Sequence, residues 1–269
     1  WDIIPLPLTD LKSTLSEWQE GLADVGWNSL YCNNHDQPRV VSRFGDDGAH
    51  RVASAKALGT VLHLMRGTPY IYQGEEFGMT NTPFASLGQY RDVESLNWAA
   101  QAADHGMPED QILAKLAIKS RDNARTPVAW DAGPNAGFST GTPWIGVNPN
   151  HVEINAEAAL ADADSVFHHY RRLIELRHTL PVVVEGDYRP LMPDDEQVFA
   201  YVRSLEGDHL LVLANLSGEP AEVDLGADSP LLSGEVLLAG GAADTANNGG
   251  GDANPAVLGP WESRVILSR

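Results

Sequence analysis

The stretch of sequence that decides the fold is Gly26-Trp27-Asn28-Ser29-Leu30-Tyr31-Cys32-Asn33-Asn34-His35-Asp36-Gln37-Pro38-Arg39. An apolar run, Trp27 to Tyr31, leads directly into a polar cluster that carries an imidazole, a carboxylate, amides and a guanidinium. A buried strand that ends in such a cluster is typical of the catalytic mouth of a parallel barrel, because the loops after the strands carry the site. This stretch therefore predicts an α/β fold with its site beside residue 36.

The residues on either side continue an alternation of strands and helices. Helices are predicted over 11–23 and 49–66, because apolar residues recur there three or four positions apart. Those residues are Leu11, Leu15, Trp18 and Leu22 in the first helix, and Val52, Ala55, Leu58, Leu62 and Met65 in the second, which Gly67 ends. Strands are predicted at Trp27–Cys32 and Pro69–Gln73, so the order is that of a βαβ unit.

The middle of the chain predicts further helices and two long loops. Residues 77–109 form a long irregular excursion, and residues 125–151 form a loop rich in Pro, Gly, Trp and Asn. Helices are predicted over about 109–120 and about 163–179, the second ending before Pro181. The second helix would bury one face formed by Val166, Tyr170, Leu173, Ile174 and Arg177.

The pattern changes to short β-rich runs after Pro181. These runs predict an antiparallel sheet or sandwich, and they are Gln197–Arg203, His209–Leu216, Ala221–Leu225, Gly234–Leu238 and Ser263–Leu267. The Gly-rich stretch Ala239–Asn254 is predicted to be a flexible hairpin tip. A closed barrel needs about 200 residues or more, and only two parallel strands precede residue 181. We therefore predict two domains: residues 1–180 are the C-terminal part of a (β/α)₈ TIM barrel, with its last two strands and their helices, and residues 181–269 are an all-β antiparallel β-sandwich.

Composition narrows the class of ligand. The net charge of −19 argues against nucleic acid and against anionic membranes, and it favours a neutral or cationic ligand. The same acidity can simply serve solubility. Cys32 is the only cysteine, which fits a reducing compartment and a small core residue. No apolar stretch approaches the ~18 residues that span a bilayer, and no signal peptide is visible. We predict a cytoplasmic protein, and the lack of an initiator Met predicts a segment of a longer one.

Several other candidate residues have simpler explanations than catalysis. Glu75 and Glu76 would be structural, because neighbours on a strand point to opposite faces. Arg39 and Arg43 would brace the site through ion pairs. The histidines His168 and His169 face different ways on a helix, and no spacing in the chain matches a zinc site. Trp130 and Trp144 could stack on the rings of a neutral ligand, although core or loop packing is the simpler role. We predict no metal and no cofactor in this segment.

Four segments in order carry a family resemblance. They are Gly26-Trp27-Asn28-Ser29-Leu30 with the following cluster, Gly67–Glu76, Tyr90–Asn97 and Arg121–Pro127. Together they resemble the α-glucosidase and oligo-1,6-glucosidase branch of the α-amylase family (glycoside hydrolase family 13). The resemblance extends through Gly186–Tyr188 and Val198–Tyr201, so it covers nearly the whole chain.

The resemblance implies a retaining glycosidase that cleaves terminal α-1,4- or α-1,6-glucosidic bonds in short oligosaccharides. Asp36 would be the third catalytic carboxylate, which binds sugar hydroxyls as the ring distorts toward the oxocarbenium ion. His35, Glu94 and Arg125 would line the sugar pocket. Carboxylates, imidazoles and guanidiniums suit that role because they accept or donate directed hydrogen bonds.

The resemblance also implies what this chain lacks. Strands one to six, the Asp nucleophile and the acid/base Glu would lie in an N-terminal barrel segment, together with any calcium site. That segment is the expected partner, and this chain alone is expected to be inactive. Two alternatives stay open: a transglycosylase or sucrose isomerase of the same branch, and a non-catalytic truncated module.

Overall fold

The structure is a computed structural model, and it describes residues 1–241 and 255–269. Most of the predicted hairpin tip Ala239–Asn254 lies outside the described residues. The α-helices are α1 Leu8–Gly21, α2 Val40–Phe44, α3 Arg51–His63, α4 Val93–Asp104, α5 Glu109–Lys119, α6 Asp122–Arg125, α7 Ala156–Ala161, α8 Val166–Thr179 and α9 Pro181–Glu185. Short 3₁₀ helices lie at Glu75–Phe77, Leu87–Gln89, Pro134–Gly137, Pro149–Val152 and Gly226–Ser233. The strands are β1 Ser29–Leu30, β2 Thr68–Pro69, β3 Asp187–Leu191, β4 Val198–Leu205, β5 Asp208–Asn215, β6 Ala221–Glu222, β7 Glu235–Gly240, β8 Val257–Leu258 and β9 Ser263–Ser268.

The chain divides into two compact units. The first unit comprises Trp1–Ile4, Cys32–Phe44 and Ile71–Phe167, and the second comprises Pro5–Tyr31, Gly45–Tyr70 and His168–Arg269. The predicted division into domains at residues 180 and 181 stays a prediction.

The second unit contains the predicted βαβ element, with shorter strands than expected. β1 and β2 pair in parallel, with Ser29 opposite Thr68, and α3 lies between them in the chain. The strand predicted over Trp27–Cys32 is confirmed only at Ser29–Leu30, where Leu30 is buried. The burial predicted for the whole run is wrong, because Trp27 is 48% exposed and Tyr31 is 50% exposed. In the described part of the chain this sheet has two strands, so each strand is hydrogen-bonded to a partner strand along one edge only.

The helix faces of the second unit differ from the predicted ones. α1 buries Lys12 and Gln19 rather than a purely apolar stripe, and Trp18 is 54% exposed. The Lys12 ammonium donates to the carbonyl oxygens of Asp195 and Val198 at 2.8 and 2.9 Å, which satisfies a charge that would otherwise be costly to bury. α3 is buried on all sides from Ser54 to His63.

The predicted antiparallel domain is confirmed as a five-stranded sheet in the order β3-β4-β5-β9-β7 and a two-stranded sheet of β6 and β8. One apolar core is shared by the two sheets, and its members include Val202, Leu211 and Leu258. α3 packs against β5 and β9. Strands β3 and β8 were not predicted, since the first carries Arg189 and Pro190 and the second is only two residues long.

The first unit corrects one prediction and confirms another. The excursion predicted over 77–109 contains a regular helix, α4, which begins after the capping residue Asp92. The helix predicted over 109–120 is confirmed as α5. α4 and α5 share a core that includes Ala99, Ile112 and Leu116, and this core supports the start of α4.

Candidate active site

The Asp36 carboxylate stands at a tight turn in Asn33–Arg39, which we name the polar segment. The Oδ1 atom of Asn34 accepts a hydrogen bond from the backbone N–H of Asp36 at 2.8 Å and so closes the turn. Nε2 of His35 lies 3.2 Å from Oδ2 of Asp36. The side chains are 47% exposed for Asp36 and 71% exposed for His35, so the turn presents an accessible carboxylate and imidazole.

Arg125, at the end of α6, holds the Asp36 carboxylate in place. Its Nη2 donates to Oδ1 of Asp36 at 2.7 Å, and its Nε donates to the carbonyl oxygen of His35 at 3.0 Å. Its Nη1 donates to Oδ1 of Asp92 at 3.2 Å. Charge-assisted hydrogen bonds of this kind are strong, and the planar fork fixes the angles between them. Arg125 therefore joins the turn at Asp36 to the start of α4.

Arg121 connects the remaining carboxylates. Its Nη2 lies 2.7 Å from Oδ1 of Asp92 and 3.2 Å from Oε2 of Glu94, and its Nη1 lies 3.7 Å from Oδ1 of Asp36. We name Asp36, Asp92, Glu94, Arg121 and Arg125 the ion-pair cluster. It contains three carboxylates and two guanidiniums, so it carries one negative charge in excess when all five are ionised.

Asp92 is the buried centre of the ion-pair cluster. Its side chain is 2% exposed, whereas those of Arg121 and Arg125 are 28% and 24% exposed. Its Oδ2 accepts from the backbone N–H of Ser95 at 3.0 Å and from the Ser95 hydroxyl at 2.8 Å, which caps α4. Burial by itself raises the pKa of the Asp92 carboxyl, but hydrogen bonds from Arg121 and Ser95 outweigh burial and lower that pKa. The hydrogen bond to Asp92 raises the pKa of Arg121.

The fully buried Arg39 supports the same region from the other end of the polar segment. Its Nη1 donates to the carbonyl oxygen of Gln73 at 2.6 Å, and its Nε donates to that of Asn123 in α6 at 3.1 Å. The bracing role predicted for Arg39 is confirmed, but these contacts are hydrogen bonds to backbone carbonyls rather than ion pairs. Arg43, in α2, donates a hydrogen bond to Oε1 of Gln37 in the polar segment, and this contact is likewise not an ion pair.

Glu75 and Glu76 are on a 3₁₀ helix. The prediction that they lie on a strand and so point to opposite faces is therefore wrong. Glu75 is 4% exposed. Oε2 of Glu76 accepts from the backbone N–H of Gly74 at 2.8 Å, and burial raises the pKa of Glu76. These contacts are local, and they fit the structural role predicted for the pair.

The aromatic and sulfur candidates have mixed outcomes. Trp130 and Trp144 are 52% and 64% exposed, so neither is a core residue, and packing within the loop stays a prediction. Burial raises the pKa of the Cys32 thiol to about 12, which suits a packed neutral thiol and not a nucleophile. His169 is buried and contacts the hydroxyl of Thr60 at 2.8 Å.

Among residues 1–241 and 255–269, no group of three or more His, Cys, Asp or Glu side chains is arranged to hold a metal ion. None of the helices in these two ranges is long and apolar enough to cross a bilayer.

All four predicted site residues are brought together, three by direct contact and Glu94 through Arg121. Sequence reasoning missed Asp92 and Arg121. A signal for both was present, because they lie in the same two segments as Glu94 and Arg125, and because Asp92 stands where a helix N-cap is expected.

Comparison with known proteins agrees with the motifs. A family model described as the alpha amylase catalytic domain matches residues 1–186, and one described as the maltogenic amylase C-terminal domain matches residues 188–264. The oligo-1,6-glucosidase of Halalkalibacterium halodurans is 49% identical over 269 residues, which are 100% of this chain and 47% of the relative. The chain thus spans about half the length of the curated relatives it matches.

Solved structures give the same result. The crystal structure of trehalose-6-phosphate hydrolase from Bacillus licheniformis matches with a TM-score of 0.93 and 44% identity, over 99% of this chain and 48% of that one. The trehalulose synthase of Pseudomonas mesoacidophila matches with a TM-score of 0.87 and 40% identity, over 99% and 48% of the two chains. The chain therefore belongs to the α-amylase family of glycoside hydrolases, in its α-glucosidase branch.

Proposed function

We propose that this chain supplies the glucose-binding part of a retaining α-glucosidase site, with Asp36 as the carboxylate that stabilises the transition state. One observation carries the proposal. The Asp36 carboxylate is held by Arg125 at 2.7 Å, yet its side chain remains 47% exposed. A fixed and still accessible carboxylate can accept hydrogen bonds from sugar hydroxyls without first reorganising.

The neighbouring side chains complete a pocket for a sugar. His35 would donate to the same glucosyl unit as Asp36, and Glu94 and Arg125 would line the pocket near the bond that is cleaved. As the ring flattens toward an oxocarbenium ion, hydrogen bonds to its hydroxyls strengthen and positive charge develops. The excess negative charge of the ion-pair cluster would stabilise the positive charge that develops on the sugar ring.

The charge of the cluster also bears on the substrate. Both guanidiniums are already shared among three carboxylates, so this part of the site offers no surplus positive charge to a phosphate group. A neutral α-glucoside is the substrate class that we propose. Isomaltose, trehalose 6-phosphate and sucrose, offered separately with analysis of the products, would distinguish glucoside hydrolysis from phosphoglycoside hydrolysis and from isomerisation.

The nucleophile and the acid/base are proposed to come from a preceding barrel segment, and this chain alone is proposed to be inactive. The exposed side chains of Trp27, Tyr31 and Tyr70 beside the two-stranded parallel sheet support this proposal. Each strand of this sheet also has one edge without a partner strand among the described residues, and further strands pair at such edges.

The test is hydrolysis of p-nitrophenyl α-glucoside by this chain alone and by a complemented enzyme. The complemented enzyme consists of this chain together with the part of the H. halodurans oligo-1,6-glucosidase that the chain leaves unmatched. We expect activity only after complementation, with kcat reduced on the order of 10³-fold by Asp36→Asn. Asp228→Asn is the matched control, because Asp228 is also paired with an arginine, at 2.8 Å.

Two results would contradict the proposal. Activity of this chain alone would mean that it holds its own nucleophile. Full activity of the complemented Asp36→Asn enzyme would remove Asp36 from the reaction.

A further inference from the structure

We propose that Asp92 is a positioning residue for the glucosidase site: this one buried carboxylate sets the orientation of Arg121 and Arg125, and through Arg125 it fixes the catalytic Asp36 carboxylate. The inference rests on the proposed function, because it assigns a role in the reaction attributed to Asp36. It concerns a residue that does not face the substrate, since the Asp92 side chain is 2% exposed.

One oxygen atom of Asp92 is shared by both guanidiniums. Oδ1 of Asp92 accepts from Nε and Nη2 of Arg121 at 3.1 and 2.7 Å, and from Nη1 of Arg125 at 3.2 Å. Two guanidiniums beside each other repel, and a buried anion between them offsets that repulsion. Asp92 therefore determines where both cations lie.

Each guanidinium contacts Asp92 and an exposed carboxylate. Arg125 directs Nη1 to Asp92 and Nη2 to Asp36. Arg121 directs Nη2 to Asp92 and to Glu94. Because the guanidinium is rigid and planar, fixing one nitrogen atom fixes the direction of the others. The contact at Asp92 thus transmits a defined geometry to both exposed carboxylates.

Hydrogen bonds also hold Asp92 itself in place. Its backbone N–H donates to Oδ2 of Asp122 at 2.9 Å, and its Oδ2 is held by Ser95. Asp122 is the first residue of α6, the helix that ends with Arg125. Asp92 directly precedes α4, and Arg121 directly precedes α6. The carboxylate and one of its two arginine partners are therefore positioned by the starts of these two helices, as preorganisation of a site requires.

Asp92 also caps α4, so a purely structural role must be separated from a positioning role. Asn is about as good an N-cap as Asp, but it carries no charge for the arginines. Asp92→Asn therefore keeps the cap and removes the anion. A capping role alone predicts no change in kcat of the folded variant, whereas a positioning role predicts a lower kcat at temperatures well below its melting temperature.

We expect Asp92→Asn in the complemented enzyme to lower kcat on p-nitrophenyl α-glucoside about 10- to 100-fold, which is the cost of a misplacement of about 1 Å. KM should change less than about threefold, since the groups that contact the sugar are all retained. An unchanged kcat would overturn the proposal. If Asp92→Asn does not fold, the Asp92→Asn/Arg121→Gln pair, which removes one positive charge with the negative one, carries the same comparison.

A second measurement needs no activity and so separates this inference from the proposed function. Hydrogen exchange of the arginine Nε–H groups is followed by NMR in this chain and in its Asp92→Asn variant. We expect exchange at Arg121 and Arg125 to accelerate on the order of 10-fold, as these hydrogen bonds loosen. Arg264 is the internal control, because its Nε donates to Glu262 independently of Asp92. Unchanged exchange at Arg125 would overturn the positioning role even in an active enzyme.

Discussion

Replacement of Arg125 by Lys tests whether the guanidinium fork, and not only its charge, holds the site. The fork serves three acceptors, at 2.7 Å on Asp36, 3.0 Å on the His35 carbonyl and 3.2 Å on Asp92. A Lys ammonium keeps the positive charge, but from a flexible stem it cannot reproduce these three directions at once. We expect it to satisfy one acceptor and to lose about two hydrogen bonds.

The magnitude follows from these contacts. A hydrogen bond to a charged partner is worth about 1.5–3 kcal/mol. The lower end applies because the Asp36 side chain is 47% exposed and water can replace part of what is lost. The loss of two hydrogen bonds then removes up to about 3 kcal/mol of stabilisation from the transition state. Each 1.4 kcal/mol lowers the rate about tenfold. We expect kcat/KM of the complemented enzyme to fall about 10- to 100-fold.

The assay is steady-state hydrolysis of p-nitrophenyl α-glucoside, with the melting temperature measured in parallel. Arg189→Lys is the matched control, because Arg189 makes two hydrogen bonds to Asp228, at 2.8 and 3.0 Å, outside the ion-pair cluster. The reasoning is refuted if Arg125→Lys retains kcat/KM within about threefold of the parent.

Two further predictions concern stability. Gly59→Ala should lower the free energy of unfolding by about 1–3 kcal/mol, because an added Cβ would lie 2.7 Å from Cε2 of Tyr170. The measurement is urea titration, and the control is Gly21→Ala, whose Cβ would meet nothing within 4 Å. Equal effects of the two substitutions on the free energy of unfolding would contradict the packing argument. Burial lowers the pKa of His63 from 6.5 to about 4 and that of His169 from 6.5 to about 3. The unfolded chain therefore binds more protons below pH 6.5, and stability should fall as the pH decreases from there toward 4, by up to about 1.4 kcal/mol per pH unit for each histidine. A His169→Gln variant should show a shallower dependence in thermal unfolding, and an unchanged slope would rule that histidine out.

Local patterns in the sequence were sufficient for four of the five described α-helices of more than ten residues, and for the antiparallel strands other than β3 and β8. The helices predicted over 49–66, 109–120 and 163–179 correspond to α3, α5 and α8, because helical periodicity depends on residues three and four positions apart. α4 was missed, although Asp92 precedes it as a cap. Its three buried residues, Ser95, Ala99 and Ala102, are small, so the apolar stripe is weak in the sequence.

Burial was decided by tertiary structure. α1 has apolar residues at helical spacing, yet its buried side chains are Lys12 and Gln19. Which face of a helix is buried depends on the groups that pack against it. For α1 these groups include backbone carbonyls that accept hydrogen bonds from Lys12. Ile174 of α8, predicted on the buried face, is 37% exposed, whereas Leu176 is 3% exposed.

The sequence by itself determined which side chains could do chemistry, because Asp36, His35, Glu94 and Arg125 stand in motifs that can be recognised one segment at a time. It did not determine how they are connected. Arg125 and Asp36 are 89 positions apart, and Asp92 reaches the same guanidinium from a third segment. A contact between distant segments depends on the path of the whole chain and leaves no periodic trace near either residue. The buried anion that joins both arginines was therefore apparent only in the tertiary structure.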